Sequence, residues 1–287
     1  GVPTTAWPCA TLLACTWNTE LIEEVGAAGG AELRENNLGV WLAPAMNIHR
    51  NPLCGRNFEY FSEDPLLAGK CCAADVRGIQ SQKIAASVKH FACNNRESNR
   101  FECDSRVSER ALREIYLRGF EICVKDADPW TIMSSYNLIN GCHTSVSYEL
   151  LTEMLRNEWG FKGYNVTDFT GVTLHASPKE SILAGTTAFC GFGKDDSITY
   201  WNADALKGDR TMLLAIKQNI HYLLYALANS AAMNGVNSTT RTISVMTWWR
   251  MSYRVCIYGF AALTALCALL YVVSAVKSKK QKTAKEA

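Results

Sequence analysis

The sequence predicts an α/β fold of the (β/α)8 TIM barrel type, incomplete at its N-terminus and followed by one C-terminal transmembrane helix. Short apolar segments with strand character alternate with longer segments of helical periodicity, which indicates a parallel sheet. About six strand candidates precede the last helix of this pattern, whereas a barrel of this type has eight strands. A segment without charged residues then covers positions 255–276, which is long enough to cross a bilayer.

The first clear helix is predicted at Thr19–Glu35, because Leu21, Ile22 and Val25 have near-helical spacing and Asn18 can cap its start. A buried strand at 40–44, a long loop at 44–65 and a helix at Pro65–Ser81 are predicted next. They are followed by a strand at 84–91, a helix at 108–127 capped by Ser108, a strand at 130–136 and a turn at 137–141. The last predicted elements are a helix at 147–159, a strand ending at Asp168, a helix-to-strand passage at 182–192 and a helix at 211–233 with Asn234-Gly235 as its C-cap.

The composition is ordinary for a globular protein, with 48% hydrophobic and 20% charged residues among 287. A net charge of +2 and the lack of a basic stripe with interleaved aromatics predict no nucleic-acid partner. The twelve cysteines form no C-x-x-C pair, so we expect no structural zinc site and no disulfide framework. Most of them are expected to be small apolar core residues. No motif for a cofactor or metal is present.

The C-terminal part of the sequence predicts a single-pass membrane protein. Trp248 and Trp249 precede the uncharged segment as interfacial aromatics do, and five lysines follow it, at positions 277, 279, 280, 282 and 285. By the positive-inside rule the lysine tail is cytoplasmic and the large domain lies outside the cell membrane. The alternative is a buried core helix. The predicted domains are a barrel domain at 1–234, a polar stalk at 235–250, a transmembrane helix at 251–276 and a basic cytoplasmic tail at 277–287.

Asp168 and three other predicted strand ends carry charged or polar residues. Asp168 closes one strand and can act as a nucleophile, a general base or a metal ligand, the alternative being a helix N-cap. Lys89 and His90 end another, and past the strand end both side chains can turn into the barrel mouth. Lys89 can serve as a hydrogen-bond donor or as a Schiff-base nucleophile, and the alternative is a buried, satisfied Lys-His pair. Met133 supplies an apolar wall and Tyr136 a phenol at a fourth strand end.

The loop at 44–65 is dense in polar groups and flanked by aromatics, as ligand-binding loops are. Arg56 can donate its planar fork to hydroxyls or to a carboxylate. The alternative is a lattice of salt bridges that stiffens the loop, and we expect both roles to occur, in different residues. The candidates for the lattice are Arg50, Glu59, Glu63 and Asp64. Charged groups, a phenol and aromatic faces together predict a pocket for a small polyhydroxylated ligand.

Four stretches resemble glycoside hydrolase family three, the β-glucosidase and β-xylosidase family. They are the run at 43–65 with its Gly-Arg-x-Phe-Glu-x-Phe-Ser-Glu-Asp-Pro core, the Val-Lys-His-Phe segment at 88–91, the Met-Ser-Ser-Tyr-Asn segment at 133–137 and the run at 160–169 that contains Asp168. The resemblance implies that Asp168 is the nucleophile that forms a covalent glycosyl-enzyme. It also implies that Arg56, Lys89 and His90 bind the hydroxyls of the terminal sugar, and that Met133 and Tyr136 line the same pocket.

The resemblance implies a retaining, exo-acting β-glycosidase that removes terminal sugars from β-linked oligosaccharides. In the β-glucosidase members the acid/base glutamate sits on a separate sandwich domain, and nothing in this sequence matches it. Because the chain starts at Gly1, we expect a fragment whose first barrel units and sandwich domain lie upstream, with impaired activity alone. The alternatives are a membrane-tethered, non-catalytic sugar-binding protein and a Schiff-base lyase that uses Lys89.

Overall fold

The computed structural model describes residues 4–169, 177–191, 208–233, 246 and 248–286, with side chains described as far as residue 277. The chain divides into two compact units, Gly1–Val236 and Asn237–Ala287. The first unit begins with the short helix α1, Ala10–Ala14, and the longer helices α2, Thr19–Glu35, and α3, Pro65–Ser81. The bounds of α2 and α3 are those predicted from the sequence.

Side-chain caps explain why these two helices start where they do. The Asn18 side chain accepts a hydrogen bond from the Leu21 backbone N–H at 3.0 Å, and Asp64 accepts one from Leu66 at 2.8 Å. Each bond satisfies a backbone donor that the first turn of a helix leaves without a partner. At α3 the cap is followed by Pro65 in the first turn, where proline is well tolerated.

The main sheet has five parallel strands in the spatial order β1-β2-β4-β7-β8. These strands are β1, Val40–Trp41; β2, Ala85–Phe91; β4, Thr131–Ser134; β7, Tyr164–Val166; and β8, Thr186–Ala188. The parallel sheet confirms the predicted α/β fold. Among the described residues β1 and β8 each have one neighbouring strand, so a closed eight-stranded barrel stays a prediction.

A small second sheet lies in the connections and corrects one prediction. It contains β3, Asp104–Ser105; β5, Leu138–Ile139; and β6, Cys142–His143. The turn predicted at 137–141 is therefore part of a β5–β6 hairpin, in which Asn140 and Gly141 both have positive φ. The prediction of a buried strand at 40–44 is also wrong, because β1 has two residues and Val40 is exposed at the edge of the sheet.

The predicted helix at 108–127 is interrupted. It consists of α4, Glu109–Ala111, a π-helical turn, Leu112–Tyr116, and α5, Arg118–Ala127. Ser108 caps its start as predicted, and Asp128 ends it in the left-handed conformation. The later helices are a π-type helix at Glu149–Glu158, α6 at Pro178–Ala184 and α7 at Arg210–Asn229. Because α7 ends at Asn229, the predicted end at 233 is wrong, and its predicted C-cap lies outside the described residues.

The buried core lies between the sheet and helices α2, α3 and α5. Helices α3 and α5 approach each other closely at Gly69 and Gly119, where a methyl group on Gly69 would come within 3.1 Å of the Gly119 carbonyl oxygen. Close by, the sulfurs of Cys72 and Cys123 are 3.4 Å apart. The prediction that most cysteines are core residues is wrong, since only Cys71, Cys72, Cys93 and Cys123 are buried.

One buried cation joins the starts of β7 and β8. Arg156, in the π-type helix, donates hydrogen bonds to the carbonyl oxygens of Gly163 at 2.8 Å and of Phe161 and Gly185 at 3.5 Å. The ring centre of Tyr222 on α7 lies 3.5 Å from its Cζ. These contacts are all with neutral groups. Arg156 therefore connects four elements at the N-terminal ends of these strands, whereas Asp168 follows the C-terminal end of β7.

The second unit contains one long helix, α8, Trp248–Glu286. Its segment Trp248–Lys277 contains an 18-residue stretch with a mean hydropathy of 2.2 and is long and apolar enough to cross a membrane by length and composition. The helix starts before and ends after the predicted span of 251–276. It continues through the basic segment that was predicted as a tail, so that segment is helical as far as Glu286.

Candidate active site

Asp168 follows the C-terminal end of β7 and is 8% exposed. Its Oδ1 atom accepts a hydrogen bond from the backbone N–H of Phe169 at 2.8 Å. Its Oδ2 atom is buried and has no hydrogen-bond partner among the described residues. Nε2 of His90 lies 3.6 Å from this Oδ2 atom. The Oδ1 atom is thus held in place by a hydrogen bond, while the Oδ2 atom is available to react.

Lys89 and His90 reach this region in a way the sequence did not predict. They lie inside β2, which continues to Phe91, so they do not follow a strand end. The pairing of β2 with β4 shifts register between Val88 and Phe91, where β2 has one more residue than its partner. Such a bulge re-aims the side chains next to it. The Asn47 side chain fixes the backbone of His90, accepting from its N–H at 2.9 Å and donating to its carbonyl at 2.8 Å.

Glu59 holds two of the predicted sugar-binding cations. Its carboxylate accepts a short hydrogen bond from Nε of Arg56 and lies 3.6 Å from Nζ of Lys89. Nη2 of Arg56 also donates to Nε2 of His90 at 2.9 Å. Although burial lowers the pKa of Arg56, the hydrogen bond and charge of Glu59 raise it above the ordinary value overall. Arg56, Lys89 and His90 therefore form one connected group beside Asp168.

The predicted salt-bridge lattice in the 44–65 loop is only partly correct. Glu59 takes part, although it binds the site cation Arg56 and the Lys89 ammonium of β2. Asp64 caps α3 instead. Arg50 and Glu63 form no ion pair with any residue that the structure describes.

Tyr136 lies at the end of β4 and reaches across to the segment of Asp168. Its hydroxyl donates to the carbonyl oxygen of Phe169 at 2.6 Å. Burial, together with the charge of Asp168, raises the pKa of Tyr136 to about 12, so the phenol is protonated. Met133 is buried on β4 and pairs with Val166 of β7, two residues before Asp168.

The structure also brings in a loop that the sequence did not single out. In the loop at 94–103, Arg100 pairs with Glu97 at 3.2 Å and lies over the ring of Tyr136, 4.8 Å from its centre. The ring of Phe101 meets that of Tyr136 edge-on at 4.7 Å. The charged residues that follow the Lys-His segment were the available signal, but their packing on Tyr136 depends on the fold.

His90 is neutral in this setting, because its burial and the nearby charges of Arg56, Lys89 and Arg100 hold its pKa well below the ordinary range. Among the described residues no three His, Cys, Asp or Glu side chains are grouped to hold a metal ion. Two surface pockets, of about 500 and 540 Å³, lie elsewhere, and Asp168 lines neither of them. The site itself is a carboxylate with one free oxygen, beside the connected group of Arg56, Lys89 and His90.

Residues 2–189 match the glycosyl hydrolase family 3 N-terminal domain. The chain belongs to this family. The resemblance found in its motifs is thereby confirmed. Among similar proteins, β-glucosidase A of Butyrivibrio fibrisolvens is 57% identical over 198 residues, which are 69% of this chain and 24% of that protein. The exo-α-(1→6)-L-arabinopyranosidase of Bifidobacterium breve is 52% identical over 169 residues, 59% of this chain and 22% of that protein.

Solved structures of the family have the same fold over most of the chain. The β-glucosidase 3B of Thermotoga neapolitana, in complex with glycerol, has a TM-score of 0.73 and 47% identity, covering 79% of this chain and 32% of its own. The family 3 β-glucosidase of Bifidobacterium adolescentis has a TM-score of 0.75 and 37% identity, covering 84% of this chain and 35% of its own. The chain spans about a quarter of the curated relatives it matches, 24% and 23% for two of them.

Proposed function

We propose that this chain carries the nucleophile and the sugar-binding residues of a retaining, exo-acting β-glycosidase. The observation that carries the proposal is the free Oδ2 atom of Asp168, a buried carboxylate oxygen without a hydrogen-bond partner among the described residues. It attacks the anomeric carbon, and the C–O bond that forms replaces the glycosidic bond that breaks. Water then hydrolyses the glycosyl-Asp168 ester with retention of configuration.

The neighbouring residues suit a sugar substrate. Arg56 and Lys89 bind the hydroxyls of the terminal sugar, and His90 takes part in this binding by holding Arg56 through its Nε2 atom. Met133 and Tyr136 line the pocket around the sugar ring. Arg56 and Lys89 are held by the same carboxylate of Glu59, so their donors are oriented before the sugar arrives. The names of the relatives support a terminal β-linked glucose as substrate, and the arabinopyranosidase among them adds a second sugar to test.

The leaving-group oxygen needs a proton, and we propose that the acid/base glutamate lies on a domain outside this chain. General acid catalysis contributes about 10²–10⁴-fold, so the chain alone is expected to act only on substrates with activated leaving groups. Lys89 faces the carboxylate of Glu59 at 3.6 Å, which favours an ion pair over a Schiff-base nucleophile. Helix α8 is proposed to anchor the chain in the cell membrane, with the catalytic unit outside and the basic end in the cytoplasm.

The nucleophile is tested by trapping it. The full chain in detergent is incubated with 2,4-dinitrophenyl 2-deoxy-2-fluoro-β-glucoside, whose leaving group requires no acid. We expect one equivalent of dinitrophenolate and a fluoroglucosyl adduct on the peptide that contains Asp168, and no adduct in Asp168→Asn. If glucose binds but no adduct forms on Asp168, the non-catalytic sugar-binding alternative replaces the proposal. An adduct that borohydride traps on Lys89 in a parallel incubation with a carbonyl substrate would support the lyase instead.

The missing acid/base is tested separately with 2,4-dinitrophenyl β-glucoside. Azide needs no general base, so it should accelerate turnover of the glycosyl-enzyme and give β-glucosyl azide. Hydrolysis of cellobiose at normal rates without azide would contradict this part.

The orientation is tested in intact cells, where a membrane-impermeant maleimide should modify the exposed thiol of Cys142. Modification only after lysis would place the catalytic unit inside.

A further inference from the structure

The imidazole ring of His90 is enclosed by three polar side chains. Its Nε2 atom lies 2.9 Å from Nη2 of Arg56 and 3.6 Å from Oδ2 of Asp168. Its Nδ1 atom lies 3.4 Å from the hydroxyl oxygen of Tyr60. The histidine is only 1% exposed, and Tyr60 is fully buried. Both ring nitrogens therefore depend on protein partners, and the position of the single ring proton follows from what those partners can donate.

Three contacts determine where that proton lies. A guanidinium group only donates, so Nε2 must accept from Arg56 and cannot carry the proton of the neutral ring. The proton is consequently on Nδ1, directed at the hydroxyl oxygen of Tyr60. Tyr60 can accept there because its own hydrogen goes to the carbonyl oxygen of Asn94 at 3.1 Å. Burial raises the pKa of Tyr60 far above its ordinary value, so this hydrogen is always present.

We propose that Tyr60 is a positioning residue that holds the ring proton of His90 on Nδ1 and so leaves Nε2 to accept from Arg56, which orients that guanidinium beside Asp168. In the other tautomer an Nε2–H group would face Nη2 of Arg56 at 2.9 Å, so the guanidinium would lose its acceptor and be displaced. The inference rests on the proposed role of Asp168 as nucleophile. It adds a residue that does not touch the substrate.

The tautomer is measured directly by NMR. The full chain is labelled with ¹⁵N-histidine, and the signals of His90 are assigned by their loss in His90→Gln. We expect a protonated Nδ1 and an unprotonated Nε2 in the unaltered chain. In Tyr60→Phe the acceptor for Nδ1–H is gone, so the Nε2–H form should appear. The matched control is Tyr225→Phe, which removes a hydroxyl that bonds to Asp128 at 2.9 Å, outside the contacts of His90.

The consequence for chemistry is measured as the rate at which the fluoroglucoside labels Asp168. Tyr60→Phe should slow labelling by about tenfold, the effect of losing roughly one hydrogen bond, the one by which Nε2 of His90 orients Arg56. Tyr225→Phe should label at the unaltered rate. A purely structural role for Tyr60 would lower stability without moving the histidine signals.

The outcomes separate the two proposals. An Nε2–H signal in the unaltered chain overturns the inference, whether or not Asp168 is labelled and whether or not Tyr60→Phe folds. An unchanged tautomer in folded Tyr60→Phe also overturns it. The Nδ1–H tautomer together with no labelling of Asp168 supports the arrangement of the ring and overturns the glycosidase function.

Discussion

Replacing Glu59 by glutamine tests whether one carboxylate organises the sugar-binding cations. Glutamine keeps the shape of the side chain and removes its charge. Arg56 and Lys89 are then left close together, with side chains 18% and 17% exposed. Glu59→Gln should therefore lower both the stability of the N-terminal unit, Gly1–Val236, and its affinity for glucose.

The size of the effect follows from the geometry. At 3.6 Å and an effective dielectric constant of about 20, the attraction between Lys89 and Glu59 is about 4–5 kcal/mol before desolvation is subtracted. A hydrogen bond to a charged group, such as that of Arg56, contributes about 1.5–3 kcal/mol net. Because the cost of desolvating Lys89 and Glu59 offsets most of their Coulomb attraction, we expect Glu59→Gln to lower the free energy of unfolding by about 2–3 kcal/mol. For a unit of this size that lowers Tm by roughly 5–10 °C.

The assay is thermal unfolding followed by tryptophan fluorescence, with glucose binding measured by calorimetry on the same samples. The control is Glu114→Gln, which removes the same charge from an ion pair with Arg110 whose side chains are 62% and 84% exposed. Such a pair contributes about 0.3–0.5 kcal/mol, so its Tm should fall by less than about 2 °C. If Glu59→Gln behaves like this control in both measurements, the reasoning about Glu59 is wrong.

Two further changes probe the scaffold of the site. Asn47→Ala removes the partners of the backbone N–H and carbonyl of the buried His90, so the free energy of unfolding should fall by about 2–4 kcal/mol and labelling of Asp168 should become slower. In the control Asn157→Ala, the lost amide donates to the exposed Glu153, so neither quantity should change. Burial between α2 and α3 raises the pKa of Asp75 to about 7, so the stability it contributes is present at low pH and is lost as the pH rises through 7. Asp75→Asn should then raise Tm by about 5 °C at pH 8 and by less at pH 5, and an equal shift at both values would contradict the burial argument.

Capping residues in the sequence correctly predicted the helix starts that neighbouring residues determine. Helices α2 and α3 were predicted to the residue, because Asn18 and the Asp64-Pro65 pair mark their starts in the sequence itself. The interruption of the 108–127 helix was not predictable in this way. Its residues have helical periodicity throughout, so nothing in the sequence marks the point where the π-helical turn at Leu112–Tyr116 separates α4 from α5.

The site shows the same division. Arg56, Lys89, His90, Tyr136 and Asp168 were proposed from strand ends and motifs, and all five lie in one connected region. Their supporting residues could not be proposed, because they act over long sequence separations and have no motif of their own. They are Asn47, Tyr60, Glu97, Arg100 and Phe101. The bulge in β2 was equally hidden, since its extra residue is defined only by the register of the neighbouring strand.

The contacts of Arg156 have a consequence for how the protein responds to salt. Exposed ion pairs weaken as ionic strength rises, because mobile ions screen both charges. Arg156 is buried, and the groups that hold it are carbonyl oxygens and an aromatic ring, to which mobile ions have no access. The start of β7, the strand that leads to Asp168, is therefore insensitive to ionic strength. Concentrated salt should weaken the exposed ion pairs on the helix surfaces without moving the carboxylate of Asp168.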